Sequence, residues 1–322
     1  MLYLDYSKLS DFINRFYGSA EQKAARLVGR DREFDSGYFD IVRFFGPDRV
    51  DPAHIEIKYV EGVFEFSDEL IARFAGEVEA EMRRKKRLFD GPTVMMMTAF
   101  DINADPPMIT VREVRYGDIA GSGYALDMKH QLFESRGGSL REYYKSKYPG
   151  PAYEDSPLPN CIGVCGYLLL REKDESYLLQ VQRSGQVASL ENSPGPSAAG
   201  GVDFVRGYRN LEELLLKSLY NEIIEELNLK EGECRITPLA CAREIFRGER
   251  PQVFALMETS LSREVVAFRL KNSRPDFEEI AGFDFYEFPF RSAVRRDRLG
   301  RLNHEARMNY YLLEEYLTGS GE

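Results

Sequence analysis

The run Asn221-Glu222-Ile223-Ile224-Glu225-Glu226-Leu227-Asn228-Leu229 constrains this chain more than any other stretch, because it sets three carboxylates beside an apolar stripe on one helix. At about 100° per residue, Glu225 and Glu226 each fall within roughly 60° of Glu222, while Leu215, Leu219, Ile223 and Leu227 mark the neighbouring face. Like charges held that closely repel one another. A divalent cation reverses the sign of that cost. Hard cations such as Mg²⁺ take carboxylate oxygens and leave positions for water or phosphate, so the pattern points to metal-assisted phosphate chemistry. The plain alternative is the wet side of an amphipathic helix, since Glu is a good helix former. Context separates the two readings. Upstream, Tyr177-Leu178-Leu179-Gln180-Val181-Gln182-Arg183 reads as a strand, and Ala198-Ala199-Gly200-Gly201-Val202-Asp203 as a glycine-kinked strand entering a loop before the helix.

A strand, a Gly-Gly approach and a Glu-rich helix in this order resemble the Nudix hydrolases, whose box ends Arg-Glu-apolar-any-Glu-Glu-any-Gly-apolar. Matched from its C-terminal end, the box sets Glu222, Glu225 and Glu226 on the family's metal-binding carboxylates. Its Arg is Asn221 here, and its Gly is Asn228, the next most tolerant residue for a left-handed C-cap. Strict spacing would put the first Gly and Glu of the box at Gly207 and Glu213, whereas the paired glycines are Gly200 and Gly201. The loop before the helix is therefore read as longer than usual, with Gly200-Gly201 as the structural equivalent.

Further segments extend the resemblance to the branch of the family represented by the animal UDP-glucose pyrophosphatase. They are Leu88-Phe89-Asp90-Gly91-Pro92, Arg115-Tyr116-Gly117-Asp118 followed by Gly121, Arg183-Ser184-Gly185-Gln186-Val187-Ala188, and Cys241-Ala242-Arg243-Glu244. The resemblance implies Mg²⁺-dependent hydrolysis of a nucleoside diphosphate-linked compound, with Mn²⁺ as a substitute ion. UDP-glucose or UDP-galactose would yield UMP and the sugar 1-phosphate. Glu222, Glu225 and Glu226 would hold the ion, with Glu226, Glu279 or Glu278 as the proton acceptor. Gly200, Gly201, Arg183, Arg243, Tyr116 and Asp118 are the candidate substrate contacts, a guanidinium being suited to grip phosphate oxygens in two places. A salt bridge is the plain role for either arginine. Two alternatives stand beside this reading: an ADP-ribose or dinucleotide pyrophosphatase, and a non-catalytic nucleotide-sugar sensor, which Asn221 favours.

Composition narrows the class. With 43 basic against 53 acidic residues the net charge is −10, which argues against a general nucleic-acid binder. No long uncharged apolar run or leader segment is visible, so a cytoplasmic protein without membrane association is expected. Cys161, Cys165, Cys234 and Cys241 lack zinc-knuckle spacing and read as buried thiols. His54, His130 and His304 are scattered. The basic run Arg83-Arg84-Lys85-Lys86-Arg87 reads as the end of a helix begun near Ser67, where Asp68 and Glu69 suit the positive pole. Arg291, Arg295, Arg296, Arg298 and Arg301 read as a solvated cluster before a C-terminal helix.

Pro149, Pro151, Pro157 and Pro159 break the segment before Asn160 and suggest a division into 1–150 and 151–322. The first part reads as a smaller α+β domain, with strands at 55–60 and 108–114 around the helix at 67–87. Strands near 161–170, 177–183, 198–203, 235–244, 251–259 and 281–287 follow, with the Glu-rich helix and a C-terminal helix. That order fits the α/β/α sandwich with a mixed sheet that the resemblance implies.

Overall fold

The computed structural model describes residues 39–46, 50–85, 91–148, 156–184, 190, 192–245, 247–272 and 279–319. Residues 1–38, Leu88-Phe89-Asp90, Lys86, Arg87, Gly185 to Ala188 and Glu278 lie outside them. In chain order the elements are β1 (Phe39–Phe44), β2 (Glu56–Val63), α1 (Glu69–Arg84), β3 (Val94–Asp101), β4 (Met108–Val114), α2 (Tyr116–Gly121) and α3 (Leu140–Lys147). Then follow β5 (Gly163–Glu172), β6 (Glu175–Arg183), β7 (Pro194–Gly195), β8 (Ala198–Gly201), α4 (Leu211–Leu227), β9 (Cys234–Glu244) and β10 (Arg250–Thr259). The chain ends with α5 (Arg263–Lys271), β11 (Ile280–Phe288), α6 (Ser292–Arg301) and α7 (His304–Gly319).

The large sheet runs β1-β9-β10-β5-β6-β11, with β8 on β5 and β7 on β6. β10 and β5 are parallel, Val253 opposite Val164, while β5–β6 and β9–β10 are antiparallel, so the sheet is mixed. β5 explains the layering. Its residues are apolar on both sides: Val164, Leu168 and Leu170 join the core under α4, while Cys165, Tyr167 and Leu169 join the core under α7. A strand buried on both faces needs a cover on each. α4 supplies one with Leu211, Leu214, Leu215, Leu219, Ile223 and Leu227, and α7 the other with Met308, Tyr310, Leu312 and Leu313. Each such buried side chain contributes roughly 2 kcal/mol of transfer free energy. The result is the α/β/α sandwich with a mixed sheet.

A second sheet, β2-β4-β3, leads into it. β3 is stitched along its free edge to the sandwich: Met95 N donates to the Val202 carbonyl at 2.7 Å, and Ile162 N to the Met95 carbonyl at 2.9 Å. Ile55, Met95, Met97, Ile109 and Val111 share one core with Ile162, Val164 and the apolar face of α4. In a separate core, Ile71, Phe74 and Val78 of α1 pack with Leu126, Phe133, Leu140 and Tyr143.

β3, α3 and α5 were not expected from sequence. The Val94-Met95-Met96-Met97 run is buried throughout and shows no alternation. α3 forms within the proline-bounded segment because Ser139 caps it and its prolines all come later. The arginine cluster is itself helical, forming α6 with Arg291 at its N-cap. Among the described residues no helix is long and apolar enough to cross a membrane.

Candidate active site

α4 is fixed at both ends before any chemistry is considered. The Asn210 side chain accepts from Glu213 N at 2.9 Å, and Glu213 accepts from Arg209 N at 2.9 Å, so this first-turn carboxylate is committed to the helix entrance. At the other end Asn228 sits in the left-handed region (φ 53°, ψ 35°) and closes the helix. Asn tolerates that conformation better than any residue but Gly.

Between these caps, Glu222 and Glu226 turn toward β8. Glu226 accepts from Ala199 N at 2.9 Å, tying the helix to the strand. Glu222 lies so close to Gly200 that a Cβ there would stand 1.9 Å from its Oε1. Gly200 is thus required by the carboxylate it faces, whereas a Cβ on Gly201 would make ordinary contact with Val94 at 3.9 Å. The two glycines are not equivalent.

Burial raises the Glu222 carboxyl well above its usual range, and the charges of Glu226, Glu225, Glu279 and Asp203 add to the effect. Glu226 is pushed up to about 8 by burial, with Arg183 opposing and Glu279 and Glu225 reinforcing. Glu225 is raised by partial burial and then by Asp203 and Glu279. Five carboxylates therefore influence one another across α4, the end of β8 and the start of β11. Asp203, missed by the sequence reading, follows the Gly-Gly pair by two residues; that proximity was the available signal. Arg183 closes the group from the end of β6, its Nη2 3.8 Å from Glu279 Oε2. Its side chain is 13% exposed, and Nε is buried without a hydrogen-bond partner among the described residues.

Among the described residues no three His, Cys, Asp or Glu side chains converge tightly enough to cage an ion as they stand. The donor chemistry nevertheless fits a hard divalent cation, since hard oxygen ligands carry the charges that burial disfavours. Glu222, Glu225 and Glu226 would hold it.

The remaining candidates divide. Tyr116 is half-buried at the start of α2, and burial, Tyr124, Cys161 and then Glu279 raise its hydroxyl well above the usual range, which puts it within electrostatic reach of the carboxylates. Asp118 is buried and held in a two-pronged pair by Arg115, at 2.9 and 2.8 Å. Arg243 is buried, with Nη1 3.5 Å from Glu249, so its salt bridge is internal. Glu244 lies in the core, its Oε1 2.6 Å from His304 Nε2 and its Oε2 2.9 Å from Arg250 Nε. The four cysteines are buried and unbridged.

No family model matches this sequence and no curated protein matches it. Among solved structures, the chain is similar to the NUDIX domain of Shewanella oneidensis NrtR complexed with ADP ribose, at 15% identity over 49% of this chain and 88% of that one, with a TM-score of 0.35. A mutT/nudix family protein from Listeria innocua matches at 12% identity over 50% and 96%, TM-score 0.36. A C. elegans Ap4A hydrolase matches at 11% over 49% and 98%, TM-score 0.32.

Proposed function

We propose that this protein is a Nudix hydrolase that cleaves the diphosphate of a nucleoside diphosphate-linked compound, with UDP-glucose or UDP-galactose as substrate. The observation carrying this reading is the seating of α4 on β8: Glu226 bonded to Ala199 N and Glu222 lodged against Gly200, with Glu225 beside them. A bound Mg²⁺ would supply charge neutralisation of the diphosphate and acidification of a water.

The chain's own residues do the rest. Glu222, Glu225 and Glu226 would hold the ion. Arg183 grips phosphate oxygens as the substrate competes with Glu279 for its guanidinium. Water attacks one phosphorus, the bridging P–O bond breaks, and UMP and the sugar 1-phosphate leave. Glu279, 58% exposed at the start of β11, accepts the water's proton. Holding the reacting groups in line is the larger contribution.

Product analysis with UDP-glucose, UDP-galactose and ADP-ribose, with and without Mg²⁺, tests the reading. Mg²⁺-dependent UMP and hexose 1-phosphate are expected. Glu279→Gln should lower kcat and leave Mg²⁺ affinity intact, whereas Glu226→Gln should weaken the ion. Turnover of ADP-ribose alone would replace the substrate, and binding without turnover would favour a sensor.

A further inference from the structure

We propose that Tyr124 is a positioning residue that holds the Tyr116 ring at the rim of the carboxylate cleft, so that the β2-β4-β3 side of the molecule supplies an aromatic wall for the base or hexose. This rests on the cleft reading above and adds residues that the chemistry alone does not call for.

α2, which begins with Tyr116, is pressed onto α1 by two glycines. A Cβ on Gly121 would stand 2.4 Å from the Ala75 carbonyl oxygen, and one on Gly117 2.4 Å from Glu79 Oε1. Backbone contact that close fixes where α2 begins. The Tyr116 ring then meets Tyr124 edge-on, with centroids 6.3 Å apart and planes at 76°, a favoured aromatic geometry.

Tyr124 is immobilised from the opposite side. Its hydroxyl accepts from Arg250 Nη1 at 3.1 Å, and the guanidinium carbons of Arg247 and Arg250 lie 5.7 and 5.9 Å from its ring centroid. Arg250 is itself locked by Glu244 at 2.9 Å, Gln252 at 2.8 Å and Glu305 at 3.2 Å. A buried guanidinium with these partners has no second rotamer to visit without leaving a charge unpaired. Tyr116 is linked to the end of β8 through the residues it packs against. It packs with the cluster containing Val94 and Cys161, and Val94 pairs with Asp203 and lies against Gly201.

The chain has no Trp. Tyrosine is therefore the sensitiser for Tb³⁺ luminescence, and transfer occurs only at short range. In the full-length protein, tyrosine-excited Tb³⁺ emission that Mg²⁺ displaces is expected, and it should vanish in the Glu222→Gln/Glu226→Gln double variant. Tyr116→Phe and Tyr124→Leu should both lose the sensitised emission, while directly excited Tb³⁺ shows that the ion still binds. Tyr124→Phe, which keeps the ring edge, should retain it; Tyr124→Met replaces the Leu variant if that one unfolds.

Absent wild-type emission, or full emission in the double glutamine variant, would defeat the cleft reading and the inference with it. Retained emission in Tyr116→Phe or Tyr124→Leu, with that control behaving, would overturn the positioning role alone. Loss in Tyr124→Phe would also overturn it, because the signal would then belong to Tyr124 itself.

Discussion

Gly200 and Glu222 show how tightly the cleft is specified by single atoms. Gly200→Ala would drive the Glu222 carboxylate away, since its oxygen is the near neighbour and the end of a flexible side chain. We expect Tm to stay nearly unchanged and kcat/KM to fall on the order of 100-fold, the scale of a misplacement of about 1 Å. Steady-state kinetics beside a thermal melt checks this. Glu226 adds a pH signature. Its carboxyl titrates at about 8 rather than the ordinary 4.5, so the metal-free folded protein holds a proton that the unfolded chain has released. Stability from this group is full below about 4.5 and is lost as pH climbs toward about 8. The metal-free Tm should fall across that window, and Glu226→Gln should flatten the slope. That the three glutamates of α4 share a side was legible because spacing along one helix fixes it, and a Gly-Gly pair signals close approach without saying that Gly200 is the glycine that makes it. Asp203 was not, since its one local signal, the Gly-Gly pair two residues earlier, does not say which way a loop aspartate turns. Arg243 carries a charge in a strand end and still turns inward to Glu249.

Helices were readable where capping and apolar period agree. α1 begins at Asp68, whose Oδ1 accepts from Leu70 N at 2.9 Å and Ile71 N at 3.1 Å, while Oδ2 receives Tyr143, Lys147 and Tyr148. Burial pushes this carboxyl up, but the bonds from Lys147, Tyr143, Ile71 N and Tyr148 outweigh it and hold it at about 2. Its stabilisation is present above the ordinary 3.8 and disappears as pH falls toward 2. Asp68→Ala should cost roughly 2–3 kcal/mol by denaturant unfolding at neutral pH, combining a lost cap with lost buried bonds. At the end of α4, Asn228→Ala should cost about 1 kcal/mol and Asn228→Gly almost nothing, because the residue sits at φ 53°. β3 escaped notice for the opposite reason. A strand covered on both faces has no alternation, and three methionines carry little strand preference.

At the scale of the molecule, buried side chains tie together the segments on either side of residues 149–155. The tip of the β9–β10 hairpin is sunk against α3: Arg141 Nη1 donates to the Ile245 carbonyl at 3.1 Å, Tyr144 bonds Glu249 at 3.1 Å, and Lys145 pairs with the same carboxylate. Removing one side of a buried pair costs about 3–5 kcal/mol, a large part of the 5–15 kcal/mol that typically holds a protein folded. A fragment starting at Ser156 should therefore show no cooperative melt by calorimetry, and co-expression with 1–150 should restore one. This dependence could not be read from sequence, because Lys145 and Glu249 are separated by a proline-broken stretch that looks like a boundary. It also leaves an evolutionary mark. A lineage that loses the cation at 145 leaves the buried carboxylate at 249 with Arg243 as its remaining charged partner, so descendants of this chain should change positions 145 and 249 together while the solvent-facing residues around them drift independently.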